Sequence, residues 1–487
     1  MTTLFLSNHM PGNRYYTNGS SPDILDSFFQ FIDARIDNIS EIYLCLYLYN
    51  NKVLHDKMKS LASRDIKIHV ISLPLEGYDT DYPKDIYDPT TNRVVYPAAT
   101  KYSLAQEIYE DIVNLHNPNY TLYVFGHTYV RSSRMNNFAR GTLPYSLHTK
   151  SIFIKLKDGN TITGLTSSNL AVRDASKDEL MLLIDDTPET QAQSALFFDK
   201  LISESSLAST WVNPNPNFIY ANTCVNAGTP LHNSYAAPFF TNSPLQISDR
   251  ISDIISSAQS RIFVCAEHLS AFNYTDLNGN RVPGMFSAVF DKCRHGVPIR
   301  LLSQTYADAS GNPHGQRTLR NKRMFIQFSR EIDSLSAFDC EYAINKNVHA
   351  KFIIVDNTAI ISTANYTPTE FLYGHVTIDH FDDPSLAGIQ YDGIFSEVEH
   401  FIILEDTDLT TRLIDFFNQT VNHPDTYIHG VNNTHNNNTQ IIGNRNNNSY
   451  HRSDCRYAPR DPNKRVEFNS IAEAQQAGYR PCNSCNP

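Results

Sequence analysis

Residues 347–365 read NVHAKFIIVDNTAIISTAN. Here His349, Lys351 and Asp356 stand as HxKxxxxD, followed by Ser362, Thr363 and Asn365. Side chains two apart on a strand point the same way, so the spacing predicts His349 and Lys351 on one face. The apolar run FIIV then buries that strand, and a second strand, AII, returns a hydroxyl and an amide to the same end. An earlier stretch repeats the pattern: His148, Lys150, apolar IFI, a KDGN turn, then Thr166, Ser167, Ser168 and Asn169. The two copies read as equivalent halves of one site.

The repeat extends outward from both motifs. In the first copy ILDSFFQFIDARI (24–36) has helical apolar spacing, IYLCLYLY (42–49) reads as a buried strand, and VLHDKMKSLASR leads as a helix into IKIHVIS (66–72). In the second, LQISDRISDIISSA (245–258), RIFVCAEH, MFSAVFDKCRHG and VPIRLLS (297–303) follow in the same order. Helices alternating with strands predict an α/β fold of two pseudosymmetric lobes. The first lobe is expected over 1–205 and the second over 244–422, joined by a Pro- and Asn-rich connection, 206–243, that begins near the single tryptophan, Trp211. An Asn-rich linker, 423–449, and a small domain, 450–487, complete the chain. Long insertions at about 75–120 and 305–340 and the basic runs 131–140 and 317–323 are expected to shape an entrance for a polyanion.

The 487 residues exceed one ordinary core, and 41% hydrophobic with 19% charged residues exclude a disordered chain or a small disulfide scaffold. The N-terminus lacks a signal-peptide pattern and no apolar run approaches membrane-spanning length, so a cytoplasmic protein is expected. A net charge of −11 argues against a globally basic nucleic-acid or membrane-surface binder, although residues 444–487 alone carry seven Lys and Arg against four Asp and Glu. Of eight cysteines, Cys45, Cys224, Cys265, Cys293 and Cys340 are scattered and no disulfide is expected among them.

Two imidazoles on opposite sides of a phosphorus atom suit phosphodiester cleavage: one attacks in line while the other protonates the leaving oxygen. Lysines and amides neutralise the phosphoryl oxygens, and this chemistry calls for no catalytic metal. The duplicated motif, over about residues 20–420, resembles the phospholipase D superfamily. That resemblance implies a covalent phosphohistidine intermediate, with His148 or His349 as nucleophile and the other as general acid. It also implies that Lys150, Lys351, Asn169 and Asn365 hold phosphate oxygens. Two departures stand out. Lys155 occupies the place of the first motif's Asp, with Asp158 displaced into the turn. The supporting acid found in this family about ten residues after the Asn is matched by Glu179 in the first copy, but by His375 in the second. Each half is thus expected to keep one acid, Glu179 and Asp356, and Glu179 beside His148 favours His148 as nucleophile.

In the tail, His451 and Cys455 stand four apart and Cys482 and Cys485 form CxxC, one His and three Cys suited to a tetrahedral structural zinc. VEF reads as a strand and SIAEAQQAG as a helix capped by Ser470 and ended by Gly478. From His451 to Pro487 the tail resembles the zinc-binding domain of the Ada DNA-repair protein. In that domain the first ligand is a methyl-accepting cysteine. His451 in its place implies structural and DNA-contacting roles.

Together these readings predict a metal-independent phosphodiesterase, a DNA endonuclease with a tethered zinc module, suited to restriction or defence. With both motifs in one chain, a monomer suffices for a complete site. The alternatives are a lipid hydrolase or transphosphatidylase of the same superfamily, and a catalytically weakened DNA-binding or sensing protein.

Overall fold

The computed structural model describes residues 2–7, 24–47, 49–72, 80–82, 86–87, 94–96, 99–125, 147–171, 177–203, 205–210, 235–236, 244–270, 273–275, 281–307, 313–314, 322–367, 376–378, 389–391, 398–424, 426–429, 441–452, 458–459, 461–468 and 471–482. Two compact units divide at Tyr427 and Ile428.

The larger unit holds two mixed sheets of matching topology. The first is built from β1 (Thr2–Ser7), β2 (Ile39–Cys45), β3 (Lys67–Ser72), β4 (Tyr120–Phe125), β5 (Ser151–Leu156), β6 (Thr161–Thr166), β7 (Glu179–Asp185) and β8 (Ser205–Leu207), in the order β1-β7-β6-β5-β2-β3-β4-β8. The second uses β9 (Tyr235–Ala236), β10 (Ile262–His268), β11 (Ile299–Ala307), β12 (Cys340–Ile344), β13 (Phe352–Val355), β14 (Thr358–Ser362) and β15 (Phe401–Glu405), in the order β9-β15-β14-β13-β10-β11-β12. In each, three neighbouring strands (β2-β3-β4 and β10-β11-β12) run parallel, and the motif hairpin (β5-β6 and β13-β14) adds to them antiparallel. The expected two-lobed α/β fold is therefore the one observed.

Helices cover both faces of each sheet. Alpha helices α1 (Ile24–Asp33), α2 (Lys52–Ala62) and α3 (Lys101–Leu115) pack on the first, and α1 buries Ile24, Leu25, Phe28, Phe31 and Ile32 at helical spacing. On its other face α4 (Pro188–Ser203) packs Phe197, Phe198 and Leu201 against Tyr43, Cys45 and Phe153. The second sheet repeats this with α5 (Pro244–Ser256), α6 (Met285–Arg294) and α7 (Lys322–Ser334) on one face. There α8 (Thr407–Val421) lies opposite, bringing Phe417 to 5.1 Å from Phe263 between ring centroids. Coverage on both faces explains why the motif strands IFI and FIIV are continuously apolar.

The supposed insertions are not simply loops. Helix α3 with β4, and α7 with β12, form the second parallel crossover of each lobe, and the long segments before them mask the repeat. The basic run 131–140 and most of 317–323 lie outside the described residues, as do Trp211 and His375. Among the described residues no helix is long and apolar enough to cross a membrane.

The smaller unit is a four-stranded sheet, β16 (Ile441–Asn444), β17 (Ser449–Arg452), β18 (Arg465–Phe468) and β19 (Arg480–Pro481), in the order β18-β16-β17-β19, with helix α9 (Ile471–Gln476). Gly478, at φ 81°, takes the left-handed conformation that ends α9. The expected boundary between linker and domain at 449/450 falls too late. Ile441 and Ile442 are buried, and their strand forms a hairpin with β17 through the turn 445–448, so part of the Asn-rich segment belongs to this sheet.

Candidate active site

The lobes exchange backbone hydrogen bonds at the mouths of the motif strands. Leu147, just before β5, bridges Val398, just before β15, and Asp178, before β7, bridges Val348, before β13. His148 N donates to Val398 O at 3.2 Å, while His349 N and Ala350 N donate to Asp178 O at 3.0 and 2.7 Å. Thr420 on α8 donates to the Asp178 carboxylate at 3.0 Å, pinning the same seam.

This seam crosses the supporting acids. His349 Nδ1 lies 2.6 Å from Glu179 Oε1, and His148 Nδ1 lies 2.5 Å from Glu399 Oε1. Each carboxylate comes from the lobe opposite its imidazole and is 1% exposed. A hydroxyl from the acid's own lobe holds its second oxygen, Ser167 for Glu179 and Thr363 for Glu399. With a carboxylate on Nδ1, each ring carries its Nδ1 proton towards the acid and meets the cleft chemistry with Nε2. Lys150 Nζ donates to His148 O at 2.5 Å and Lys351 Nζ to His349 O at 2.7 Å, and both lysines are wholly buried.

Burial pushes both imidazoles below the ordinary histidine value, His349 well below it. Glu399 works against this at His148, and Lys351 adds to it at His349. Glu399 is itself held below the ordinary carboxylate range: burial opposes ionisation, but the His148 ring, Lys150 and the Thr363 hydroxyl overcome it.

The structure thus brings His148, Lys150, Glu179, His349 and Lys351 to one seam. Asn365, 4% exposed, follows β14 and accepts from His268 N at 3.3 Å through Oδ1. Asn169 occupies the matching place after β6, half-buried, in a loop fixed by Asn51 Nδ2 donating to Leu170 O at 2.6 Å. Asn51 is also the N-cap of α2.

Two expectations are corrected. Glu179 does not support His148; it pairs with His349, because the acid that starts β7 faces the strand entering the other lobe. Asp356 does not join the histidines. At φ 54° after β13, its carboxylate accepts from Gln259 N (2.9 Å), Ser260 N (2.8 Å), Ser260 Oγ (2.6 Å) and Arg261 N (3.1 Å), closing the turn between α5 and β10. Lys155, at the equivalent position, pairs with Glu41 at 3.1 Å. The Asp "missing" from the first copy is therefore no loss at the site.

Glu399 escaped sequence reasoning because it lies 34 residues beyond Asn365, against ten from Asn169 to Glu179. The usable signal is the strand itself: in DELMLLI (178–184) and VEHFIIL (398–404) a glutamate stands within two residues of an apolar run.

In the smaller unit, the parallel pairing of Tyr450 with Pro481 and the bond from Cys482 N to Tyr450 O at 3.0 Å set His451 and Cys482 side by side, both buried. The other two expected ligands, Cys455 and Cys485, lie outside the described residues. Among the described residues no group of three or more His, Cys, Asp or Glu could hold a metal ion. His451 Nε2 also lies 2.8 Å from Ser449 Oγ, in a sheet with few buried residues.

Residues 431–487 match the family described as the metal binding domain of Ada. No curated protein matches the chain. Similar solved structures include a polyphosphate kinase from Porphyromonas gingivalis (13% identity, TM-score 0.43), covering 87% of this chain, which spans about half (48%) of that protein. Another is a phosphatidylserine synthase from Haemophilus influenzae (12% identity, TM-score 0.48), with 82% of this chain and 85% of that one covered. A third is Nuc, a phospholipase D family member from Salmonella typhimurium (11% identity, TM-score 0.23), with 42% and 98% covered.

Proposed function

We propose that the chain is a phosphodiesterase working through a covalent phosphohistidine, with DNA as its substrate and endonucleolytic cleavage as its reaction. The observation that carries this reading is the crossed pair of imidazole–carboxylate dyads, His148–Glu399 and His349–Glu179, each followed by a buried lysine at one lobe seam. One neutral imidazole attacks phosphorus through Nε2, forming a P–N bond as the P–O bond to the leaving group breaks. The other, protonated, gives its Nε2 proton to the departing oxygen. Water then attacks phosphorus, its proton passes to the second imidazole, and the P–N electron pair returns to the first. Lys150, Lys351, Asn169 and Asn365 supply the positive charge and donors for the non-bridging oxygens.

DNA as substrate rests on the tail, whose Ada-type match and local excess of Lys and Arg suit contact with a polyanion. Zinc held by His451, Cys455, Cys482 and Cys485 would act as a structural cross-link in that unit. A lipid hydrolase uses the same two-histidine chemistry and is separated by substrate alone. The test is incubation of labelled single-stranded and duplex DNA with the protein in excess EDTA, beside His148→Asn and His349→Asn variants, with phosphatidylcholine hydrolysis in parallel. Metal-independent DNA cleavage lost in both variants is expected. Lipid release without DNA cleavage would overturn the substrate, and DNA binding without any turnover would overturn the enzymatic reading.

A further inference from the structure

The two half-sites differ at one position that the pseudosymmetry makes comparable. Cys45 on β2 faces Ser151 and Cys265 on β10 faces Phe352, each partner three residues past its histidine. Two residues beyond these cysteines stand Tyr47 and Glu267. Tyr47 presents its ring edge-on to His148, with centroids 5.6 Å apart, and lies 5.7 Å from Lys150 Nζ. Glu267, 6% exposed, brings Oε2 to 3.5 Å from His349 Nε2, the nitrogen that must do chemistry.

We infer that Glu267 is a positioning residue that gives the site its direction, committing His349 to the acid role and leaving His148 to attack. The inference rests on the phosphodiesterase reading above. A carboxylate beside Nε2 stabilises a proton on that nitrogen and repels a phosphodiester approaching along its lone pair; an aromatic edge does neither. Burial and three lysines oppose a proton on His349, so the carboxylates beside it are what sustain one. Lys351 from its own segment, Lys177 from the segment before β7 and Lys150 from the first motif all disfavour the imidazolium. Glu179 and Glu267 counter them, His268 adjoins Glu267 at 3.9 Å, and the Asp178 carboxylate is taken by Thr420. His148 pairs with Glu399 and faces Lys150 and Lys351. After the leaving group departs, Glu267 stands where entering water must give its proton to His349.

The test compares wild type, Glu267→Gln and Glu267→Asp on an oligonucleotide and on bis(4-nitrophenyl) phosphate, from about pH 5 to pH 9. Removing the charge lowers the proton affinity of His349, so the alkaline limb of oligonucleotide cleavage should move down by about one pH unit in Glu267→Gln, with roughly tenfold lower turnover on that side. The acid limb, which belongs to His148, should stay in place, and Glu267→Asp should restore part of the shift. The aryl diester releases a good leaving group that needs no proton. Its burst should survive Glu267→Gln and His349→Asn and vanish in His148→Asn. An unmoved alkaline limb, or a burst that survives His148→Asn and is lost in His349→Asn, overturns the inference while the two-histidine reading stands. Turnover of both substrates surviving both histidine variants sinks that reading, and this inference with it.

Discussion

Glu399 and Glu179 each carry one imidazole of the opposite lobe, so neither half-site is complete without the other. Replacing Glu399 with Gln keeps its shape but removes the charge that supports His148. Turnover should fall on the order of 10²–10⁴-fold, as for Glu179→Gln, with little loss of fold. Steady-state kinetics on a phosphodiester check this, and wild-type turnover in either variant would remove the dyads from the mechanism. Asp356 gives the opposite expectation. Its carboxylate takes four hydrogen bonds at the turn preceding β10, so Asp356→Ala should cost about 1–3 kcal/mol of stability and leave kcat unchanged. Urea unfolding beside kinetics separates the two effects. Sequence placed His148, Lys150, His349 and Lys351 because their spacing is local. It misplaced the acids because the choice between Glu179 with His148 and Glu179 with His349 is made by pairing across the seam, which no local spacing records.

At the scale of elements, the motif hairpins were legible because burial on both faces writes strands as unbroken apolar runs. The second crossover of each lobe was not, since α3 and α7 follow long segments that mask the repeat. A close approach between strands offers a further check. A Cβ at Gly164 on β6 would lie 2.3 Å from Leu183 Cδ2 and 2.4 Å from Leu182 O on β7. Backbone on that side cannot yield like a flexible side chain, so Gly164→Ala should destabilise the first lobe by about 1–3 kcal/mol. It should also loosen β7, whose first residue is Glu179. A lowered urea midpoint with reduced turnover is expected; an unchanged midpoint would mean the strands separate more easily than their packing implies.

Across the whole molecule, histidines whose burial weakens proton binding couple stability to acidity. His148, His349 and His400 all bind protons less readily when folded, burial being the largest cause for each, and His400 falls to about 3. The unfolded chain therefore takes up more protons below about pH 6.5, so stability should fall as pH drops through that value. His400→Asn, which keeps a partner for Ser151 Oγ, should flatten the decline in urea midpoint between neutral and mildly acidic pH. A pH-independent midpoint would contradict the weakened proton binding of these buried rings. The central claim, that the paired imidazoles act by covalent catalysis, is tested most directly by trapping. End-labelled DNA would be mixed with the protein, quenched in alkali, where phosphohistidine survives, and the labelled peptide identified by mass spectrometry. The account predicts label on the peptide carrying His148 in the wild type and none in His148→Asn. Cleavage with no labelled protein, or label on a residue other than these histidines, would contradict it.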